Sequence, residues 1–169
     1  MTWRGTTTAK DRFFACLPYL LPLASVAMLG VTAALAGIGL FAQFPILQWL
    51  IVPVTPLLLF NNVFSFGGFS FGSIIVFLLL LNLVVRNPKI SHFIRFNTMQ
   101  AILLEILMFL AEIILRVIPM GSASLLADTL LNVILLGALA AIGYSLVQTI
   151  RGQYAEIPTL SEAVYMQVR

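Results

Sequence analysis

Acidic side chains recur at regular spacing in an otherwise apolar part of the sequence. Glu105 and Glu112 are seven residues apart, and Arg116 follows Glu112 by four. On a helix turning about 100° per residue these side chains and Thr98 fall within about 40° of one another and form one polar stripe. Glu112 and Arg116 are in the favourable order for an i, i+4 pair, so we expect them to satisfy each other. Because intramembrane carboxylates often mark proton or ion paths, the stripe is the first candidate for chemistry.

Glu105 needs a partner more than the other members of the stripe. It lies eleven residues beyond Ile94, which is about 16 Å along a helix and near the middle of a bilayer, where a charge costs about 2.5 to 3.5 kcal/mol. Asn97 and Gln100 enter the bilayer ahead of it and need partners as well. The candidate partners are polar residues of other predicted helices, namely Asn82, Asp128 and Asn132.

The sequence gives little support to other kinds of chemistry. Cys16 and His92 are each the only residue of their type, so we predict neither an internal disulfide nor a cysteine- or histidine-rich metal site. There is no Ser, His and Asp set at useful spacing and no glycine-rich phosphate loop between a strand and a helix. We therefore predict no enzyme activity, no cofactor and no nucleic-acid partner.

The composition predicts a membrane protein whose first partner is the lipid bilayer. Of 169 residues 61% are hydrophobic and 9% are charged, and the mean hydropathy is +1.07, whereas soluble domains are about 25% charged. Residues 13–85 include no Asp, Glu, Lys or Arg, and about 20 apolar residues suffice for one helical crossing. The apolar runs are continuous rather than alternating, unlike those of a membrane β-barrel. The predicted fold class is all-α and polytopic.

The predicted architecture is a single integral membrane domain over residues 1–169, with a C-terminal tail at 151–169. Four stretches have the length of membrane-spanning helices, at about 13–41, 69–85, 94–118 and 125–150. A fifth apolar stretch, 44–60, is ambiguous because it contains three prolines, at positions 45, 53 and 56. Interior prolines remove a backbone donor and bend or break a helix.

The distribution of positive charge decides how the stretch 44–60 is interpreted. Lys and Arg collect on the cytoplasmic side of membrane proteins, and eight of the nine here fall at the N-terminus, within 86–95 or in the tail. Placing these groups on one face requires an even number of crossings between Arg12 and Arg86. We therefore expect 44–60 to be re-entrant or interfacial, with four spans and both termini on the cytoplasmic or stromal face.

The loop before the third predicted helix is expected to fix this topology. Its basic residues are Arg86, Lys89 and Arg95, and each contributes about 1 kcal/mol beside anionic headgroups. Asn87 followed by Pro88 is a suitable helix start, with an N-cap and a proline at the first position. Ser91 is a second candidate cap.

Small residues four positions apart occur in two of the predicted spans. Gly30 and Ala34 lie in the first, and Gly137 and Ala141 in the last. Such pairs allow helix backbones to approach closely in lipid and favour self-association. Their general frequency in membrane helices explains them equally well.

Two longer stretches resemble a known family. They are VVRNPKISHFIRFNTMQAILLEI at 84–106 and LAAIGYSLVQTIRGQYAEIPTLSEAVYMQV at 139–168. Together with YLLPLAS at 19–25 and QFPILQWLIVPVTPLL at 43–58, they are similar to the 20-kDa subunit family of the translocon at the inner envelope membrane of chloroplasts. The segment 85–104 is the most specific part of the match. Where family members often carry aspartate, this chain has Glu105.

The resemblance implies a four-helix membrane component of a protein translocon, in a cyanobacterial membrane or the plastid inner envelope. Its implied partners are other translocon subunits or further copies of the chain, and preproteins. The family is proposed to contribute a channel. Two alternatives remain open: a non-conducting structural or assembly subunit, and a small-solute or ion channel in a cyanobacterial membrane.

Overall fold

The computed structural model describes residues 7–66, 69–117, 125–157 and 160–168. The elements are α1 (Ala9–Leu35), α2 (Leu40–Gln43), α3 (Pro45–Val63), β1 (Ser65–Phe66), β2 (Phe69–Ser70), α4 (Gly72–Val85), α5 (His92–Val117), α6 (Leu125–Ile150) and α7 (Leu160–Gln167). Helices α1, α3, α5 and α6 are long and apolar enough to cross a membrane. Apart from the two-residue strands, the regular structure in these ranges is helical, so the all-α polytopic prediction is confirmed.

Helix α1 ends six residues before the predicted boundary at residue 41, because a glycine turn stops it at Leu35. Gly37 has φ +74°, a conformation that glycine adopts without steric penalty. Its N–H donates to the Ala34 carbonyl at 2.9 Å, and the Ile38 N–H donates to the Ala33 carbonyl at 3.0 Å. This pair of bonds is a Schellman cap, which satisfies the last carbonyls of the helix.

The proline-rich stretch is helical throughout Pro45–Val63, so its prolines do not break it. Pro45 begins the 3₁₀ turn Pro45–Leu50, and Pro53 lies in the first turn of the α-helix Ile51–Val63. Pro45 is the first residue of α3, where a missing N–H has no intrahelical acceptor, and Pro53 lies just after the 3₁₀ turn passes into the α-helix. Only Pro56 lies inside the helix.

Helices α3 and α4 differ from the predicted spans in their lengths. Helix α3 has 19 residues, which is enough to cross a membrane by length and composition, whereas α4 is a shorter apolar helix. Residues 44–60 are expected to be re-entrant or interfacial and 69–85 to span the membrane. The helix lengths differ from that expectation, and the membrane position of the two segments stays a prediction. Helices α5 and α6 lie within two residues of their predicted bounds.

Three helices form the centre of the molecule. Going along the chain, Asp11, Tyr19 and Ser25 of α1 contact residues 91, 97 and 105 at or in α5 in the same order. Helices α1 and α5 are therefore parallel. Helix α6 runs antiparallel to both, since its last turns meet the first turns of α5.

The parallel arrangement restricts the route of the chain between α1 and α5. The chain leaves α1 at one end of the bundle and begins α5 at the other, so the segment 36–91 makes one net return. Helices α3 and α4 together make that return. Helix α3 contacts α1, helix α4 contacts α5, and α3 and α4 contact each other. Two complete crossings in opposite directions would place the start of α5 at the wrong end.

Positive charge collects at the end of the bundle where α1 and α5 begin. Arg12 donates to the Ile150 carbonyl at the end of α6, and Arg95 donates to the Val85 carbonyl at the end of α4. Six of the seven described basic residues lie at this end: Lys10, Arg12, Arg86, Lys89, Arg95 and Arg151. Arg116 lies near the opposite end of α5. The arrangement agrees with the predicted charge pattern.

Helix α5 begins later than the Asn87–Pro88 signal predicts. The Asn87 side-chain oxygen accepts the N–H of Lys89 at 3.0 Å and closes a local turn. The helix starts at His92, and Ser91 precedes it, with its hydroxyl oxygen 3.5 Å from the Ile94 nitrogen. The second predicted cap is therefore the one at the start of the helix.

A labelling experiment tests the common end of α1 and α5. In a Cys16→Ala background, we expect Lys10→Cys and Lys89→Cys to react with a membrane-impermeant thiol reagent from the same side of the membrane. Ala36→Cys, just after α1, should react only from the opposite side. Labelling of positions 10 and 89 from different sides would contradict the parallel packing of α1 and α5.

Candidate functional site

Asn97 joins the three central helices through hydrogen bonds. Its side-chain oxygen accepts the hydroxyl of Tyr19 from α1 at 3.1 Å and that of Thr149 from α6 at 2.7 Å. Its side-chain nitrogen donates to the Phe93 carbonyl one turn earlier at 2.8 Å. Asn97 and Thr149 are fully buried. Sequence reasoning predicted that Asn97 needs partners in the bilayer, and the structure supplies them from both neighbouring helices.

Gln100 extends this polar cluster along α6. Its side-chain nitrogen donates to the Ser145 hydroxyl at 3.2 Å, and both residues are fully buried. Thr149 also donates to the Ser145 carbonyl, so the two α6 hydroxyls belong to one network. Within the described part of the chain, the side-chain oxygen of Gln100 has no hydrogen-bond partner.

Glu105 is paired with a residue that sequence reasoning did not consider. The Ser25 hydroxyl of α1 lies 2.9 and 3.0 Å from the two carboxyl oxygens, and Glu105 is only 9% exposed. Among the described residues, the candidate partners Asn82, Asp128 and Asn132 do not bond to Glu105, and Asn82 and Asn132 bond to other groups. In membrane proteins one interhelical hydrogen bond contributes about 0.6 kcal/mol on average.

A polar seam continues between the parallel helices α1 and α5. Ser25 and Thr32 are seven residues apart on α1, as Glu105 and Glu112 are on α5. Equal spacing on parallel helices places Thr32 level with Glu112. The Thr32 hydroxyl donates to the Met28 carbonyl at 2.7 Å. In this seam the Ser25 hydroxyl is hydrogen-bonded to the buried Glu105 carboxylate. One helical repeat further along, Thr32 is exposed and Glu112 is half-buried.

Glu112 and Arg116 lie one turn apart on α5, and the Arg116 charge interacts electrostatically with the Glu112 carboxylate. That the two side chains form a direct pair stays a prediction. Arg116 is exposed and Glu112 is half-buried near the end of α5. The polar stripe thus has a buried part at Glu105, which contacts α1, and a part near the end of α5 at Glu112 and Arg116.

Asp128 and Asn132 lie apart from the Glu105 contact. The Asn132 side-chain oxygen accepts the N–H of Leu40 at 2.7 Å, and this bond ties α6 to the start of α2. One carboxyl oxygen of Asp128 is buried and has no hydrogen-bond partner in the part of the chain that the structure describes. Neither residue extends the cluster around Asn97.

Comparison with known proteins decides the family. Residues 8–164 match the family model described as "Chloroplast import apparatus Tic20-like". The chain belongs to the Tic20-like family. It is 45% identical over 171 residues to a Tic20 family protein of Synechocystis sp., covering 100% of this chain and 99% of that protein.

Plastid and plant relatives extend the similarity. Protein TIC 20-v, chloroplastic, of Arabidopsis thaliana is 30% identical over 162 residues, with 95% of this chain and 72% of the relative covered. The Tic20 family protein Ycf60 of Porphyra purpurea is 28% identical over 173 residues, with 99% and 80% covered. The resemblance inferred from the sequence is thereby confirmed.

The Tic20-like segment 85–104 connects α4 to α5. Arg95 donates to the Val85 carbonyl at 2.8 Å and so joins the last turn of α4 to the first turn of α5. Arg86 is exposed, and its guanidinium donates to the Asn82 side chain at 3.2 Å. The segment therefore combines a structural connection with the polar residues that enter the bundle.

Four polar residues of this Tic20-like site were not identified from the sequence: Tyr19, Ser25, Ser145 and Thr149. They lie on α1 and α6, whereas the sequence reasoning followed the stripe of α5. Ser145 and Thr149 are four residues apart in an apolar helix, and hydroxyls at this spacing share one helix face. That spacing was the available signal.

The described residues include no group of three or more His, Cys, Asp or Glu side chains that could hold a metal ion.

Replacing Asn97 should destabilise the bundle selectively. Asn97→Leu removes the acceptor of the Tyr19 hydroxyl and the link from α5 to Thr149, which keeps the Ser145 carbonyl as an acceptor, and we expect a loss of about 1 to 2 kcal/mol in unfolding free energy. Asn82→Leu is the matched control, because Asn82 is exposed and contacts only its own helix end. Unfolding of the purified proteins in identical micelles measures the difference. Equal stability of the two variants would contradict the proposed role of Asn97.

Proposed function

We propose that this Tic20-like protein is a membrane subunit of a protein-translocating assembly. The observation that carries the proposal is the family match over residues 8–164, in a chain with four helices able to cross a membrane. The description of that family model names the chloroplast import apparatus. In this proposal the protein works as a non-enzymatic component whose partners are other translocon subunits, further copies of itself and the translocated preproteins.

The path for a polypeptide lies at the boundary of the subunit in this proposal. The centre between α1, α5 and α6 is filled with side chains that are fully buried, including Val26, Ala101 and Leu135. Interiors packed in this way leave little free volume, so the subunit interior offers no room for an extended chain. A channel therefore requires a second copy or other subunits.

Helix α6 offers the surface that best fits self-association. An apolar cavity of about 260 Å³ lies between α5 and α6 and includes Gly137 and Ala141 in its lining. A Cβ atom added at Gly137 would meet no other atom within 4 Å. Gly30, the other candidate, is covered by the ring of Phe41 from the same chain. Of the two small-residue pairs, the one on α6 therefore supports association in the membrane.

The orientation in this proposal follows the charge distribution. The basic end of the bundle faces the cytoplasm of a cyanobacterium or the stroma of a plastid. Both chain termini then lie on that side, because α1 begins there and α6 ends there. The location in the proposal is a cyanobacterial membrane or the plastid inner envelope membrane.

A structural or assembly role is the main alternative. It is favoured by the contacts of Asn97 and Glu105, since both side chains hold helices of this chain together. A small-solute or ion channel is the other alternative. It is favoured by the seam at Thr32 and Glu112, where polar groups of two helices lie level and partly exposed.

Substitution of Glu105 separates these functions. We expect Glu105→Gln to keep the assembled complex, because an amide oxygen still accepts the Ser25 hydroxyl, whereas Glu105→Leu should reduce assembly by leaving that hydroxyl unpaired. Native gels measure assembly, and precursor uptake into vesicles measures transport. Loss of transport in both variants with assembly intact would instead make Glu105 a pathway residue. Full assembly and transport in both would show that the buried acid is merely tolerated.

Substitution of Gly137 tests the association surface. Gly137→Leu fills the cavity on α6 and should reduce self-association in lipid bilayers at least tenfold. Gly143→Leu is the matched control, since Gly143 is also a helical glycine of α6 with open space around it and lies outside the cavity lining. Energy transfer between labelled copies measures association. The same loss in both variants would show that the effect is not specific to this surface.

A further inference from the structure

The C-terminal segment occupies a groove beside α5. The groove is formed by the end of α4 and the first half of α5, with Val85, Phe96, Met99 and Ile102 in one buried apolar cluster. Val164 and Val168 from the C-terminal segment complete the cluster and are at most 2% exposed. This degree of burial indicates a specific contact surface.

The contacts follow the pattern of a helix bound in a groove. Leu160, Val164 and Val168 are spaced by four residues and pack against the bundle, and the Val168 N–H still donates to the Val164 carbonyl at 2.9 Å. On the other side of α7, Glu162 is exposed and Met166 is 69% exposed. Peptide helices that lie in hydrophobic grooves place anchors at the same intervals.

His92 holds both ends of the segment at the rim of the groove. Its ring nitrogen Nδ1 is 3.1 Å from the Tyr154 hydroxyl, and Nε2 is 3.2 Å from the Val168 carbonyl oxygen. The Tyr154 ring packs edge-on against Phe96, with centroids 4.9 Å apart. Polar contacts at the rim and aliphatic anchors inside are the two parts of a recognition site for an amphipathic helix.

The connection to α6 provides a hinge for this segment. Gly152 has φ +75° and closes a Schellman cap at the end of α6, with its N–H on the Thr149 carbonyl. Residues 153–157 that follow have no helix or strand. The Gln153 N–H completes the cap by donating to the Gln148 carbonyl at 2.9 Å, so the segment from Tyr154 onward can leave the groove without disturbing the hydrogen bonds of α6.

We propose that this groove is a binding site for an amphipathic helical segment of another polypeptide, and that the segment with Tyr154, α7 and Val168 is its occupant in cis. The external segment carries branched aliphatic side chains at intervals of four residues and polar side chains on its opposite face. It enters when the chain's own segment leaves. The proposal goes beyond the proposed function and does not require transport, because the groove and its occupant are defined by contacts within one chain.

A peptide competition on the full chain tests the proposal. The probe is a fluorescent peptide of residues 152–169, added to the protein in lipid nanodiscs, with empty nanodiscs as the background. A tethered segment competes at an effective concentration of about millimolar, so the wild-type chain should bind the peptide weakly. Val164→Asp in the chain releases the tethered segment, and we expect at least tenfold tighter peptide binding.

Two controls make the competition specific. Met166→Asp changes an exposed residue of the same helix and should bind the peptide as weakly as the wild type. A peptide carrying Val164→Asp should not bind the released chain. Equal affinity of the Val164→Asp and Met166→Asp chains, or equal binding of the two peptides, would overturn the proposal.

A disulfide provides an independent measurement without an acidic substitution. In a Cys16→Ala background, Met99→Cys with Val164→Cys should form a disulfide that closes the groove. The oxidised chain should exclude the peptide, and reduction should restore exchange. Failure of the disulfide to form would contradict the docked position of the segment, and peptide binding to the oxidised chain would contradict the shared site.

Discussion

The need of Asn97 for hydrogen-bond partners determines how the central helices meet. Hydrocarbon offers no water to a buried amide, so a polar group at this depth must find its partners within the protein. The Asn97 oxygen takes one hydroxyl from α1 and another from α6. A single side chain thus fixes the rotation of three helices relative to one another, which nonspecific apolar packing in lipid does not do.

The register set by Asn97 has consequences at both ends of the bundle. Because α1 and α5 are parallel, Ser25 comes level with Glu105, and the N-terminal ends of both helices lie together. The basic residues therefore share one end, and α3 and α4 must return the chain between them. Topology, charge distribution and the buried acid contact are three results of the same helix register.

The sequence predicts the features of this protein that depend on one helix at a time. The apolar runs give α5 and α6 within two residues, and the spacing on α5 identifies Asn97, Gln100 and Glu105 as residues in need of partners. The partners themselves depend on a register between helices about 80 residues apart in the chain. Serine and threonine are common in apolar helices, so Ser25 and Thr149 carry no distinguishing signal alone.

Local backbone effects account for the other differences from the prediction. The α1 boundary depends on the left-handed conformation of Gly37, and α3 continues from Pro45 to Val63 although Pro53 and Pro56 lie within it. The glycine turn also folds Phe41 back over Gly30. Two glycine–alanine pairs with the same spacing therefore have different surroundings. Gly30 is covered by Phe41 of the same chain, whereas the space beside Gly137 is empty. We infer that self-association through a pair of small residues uses α6, so a polypeptide path formed by such association would be bordered by that helix.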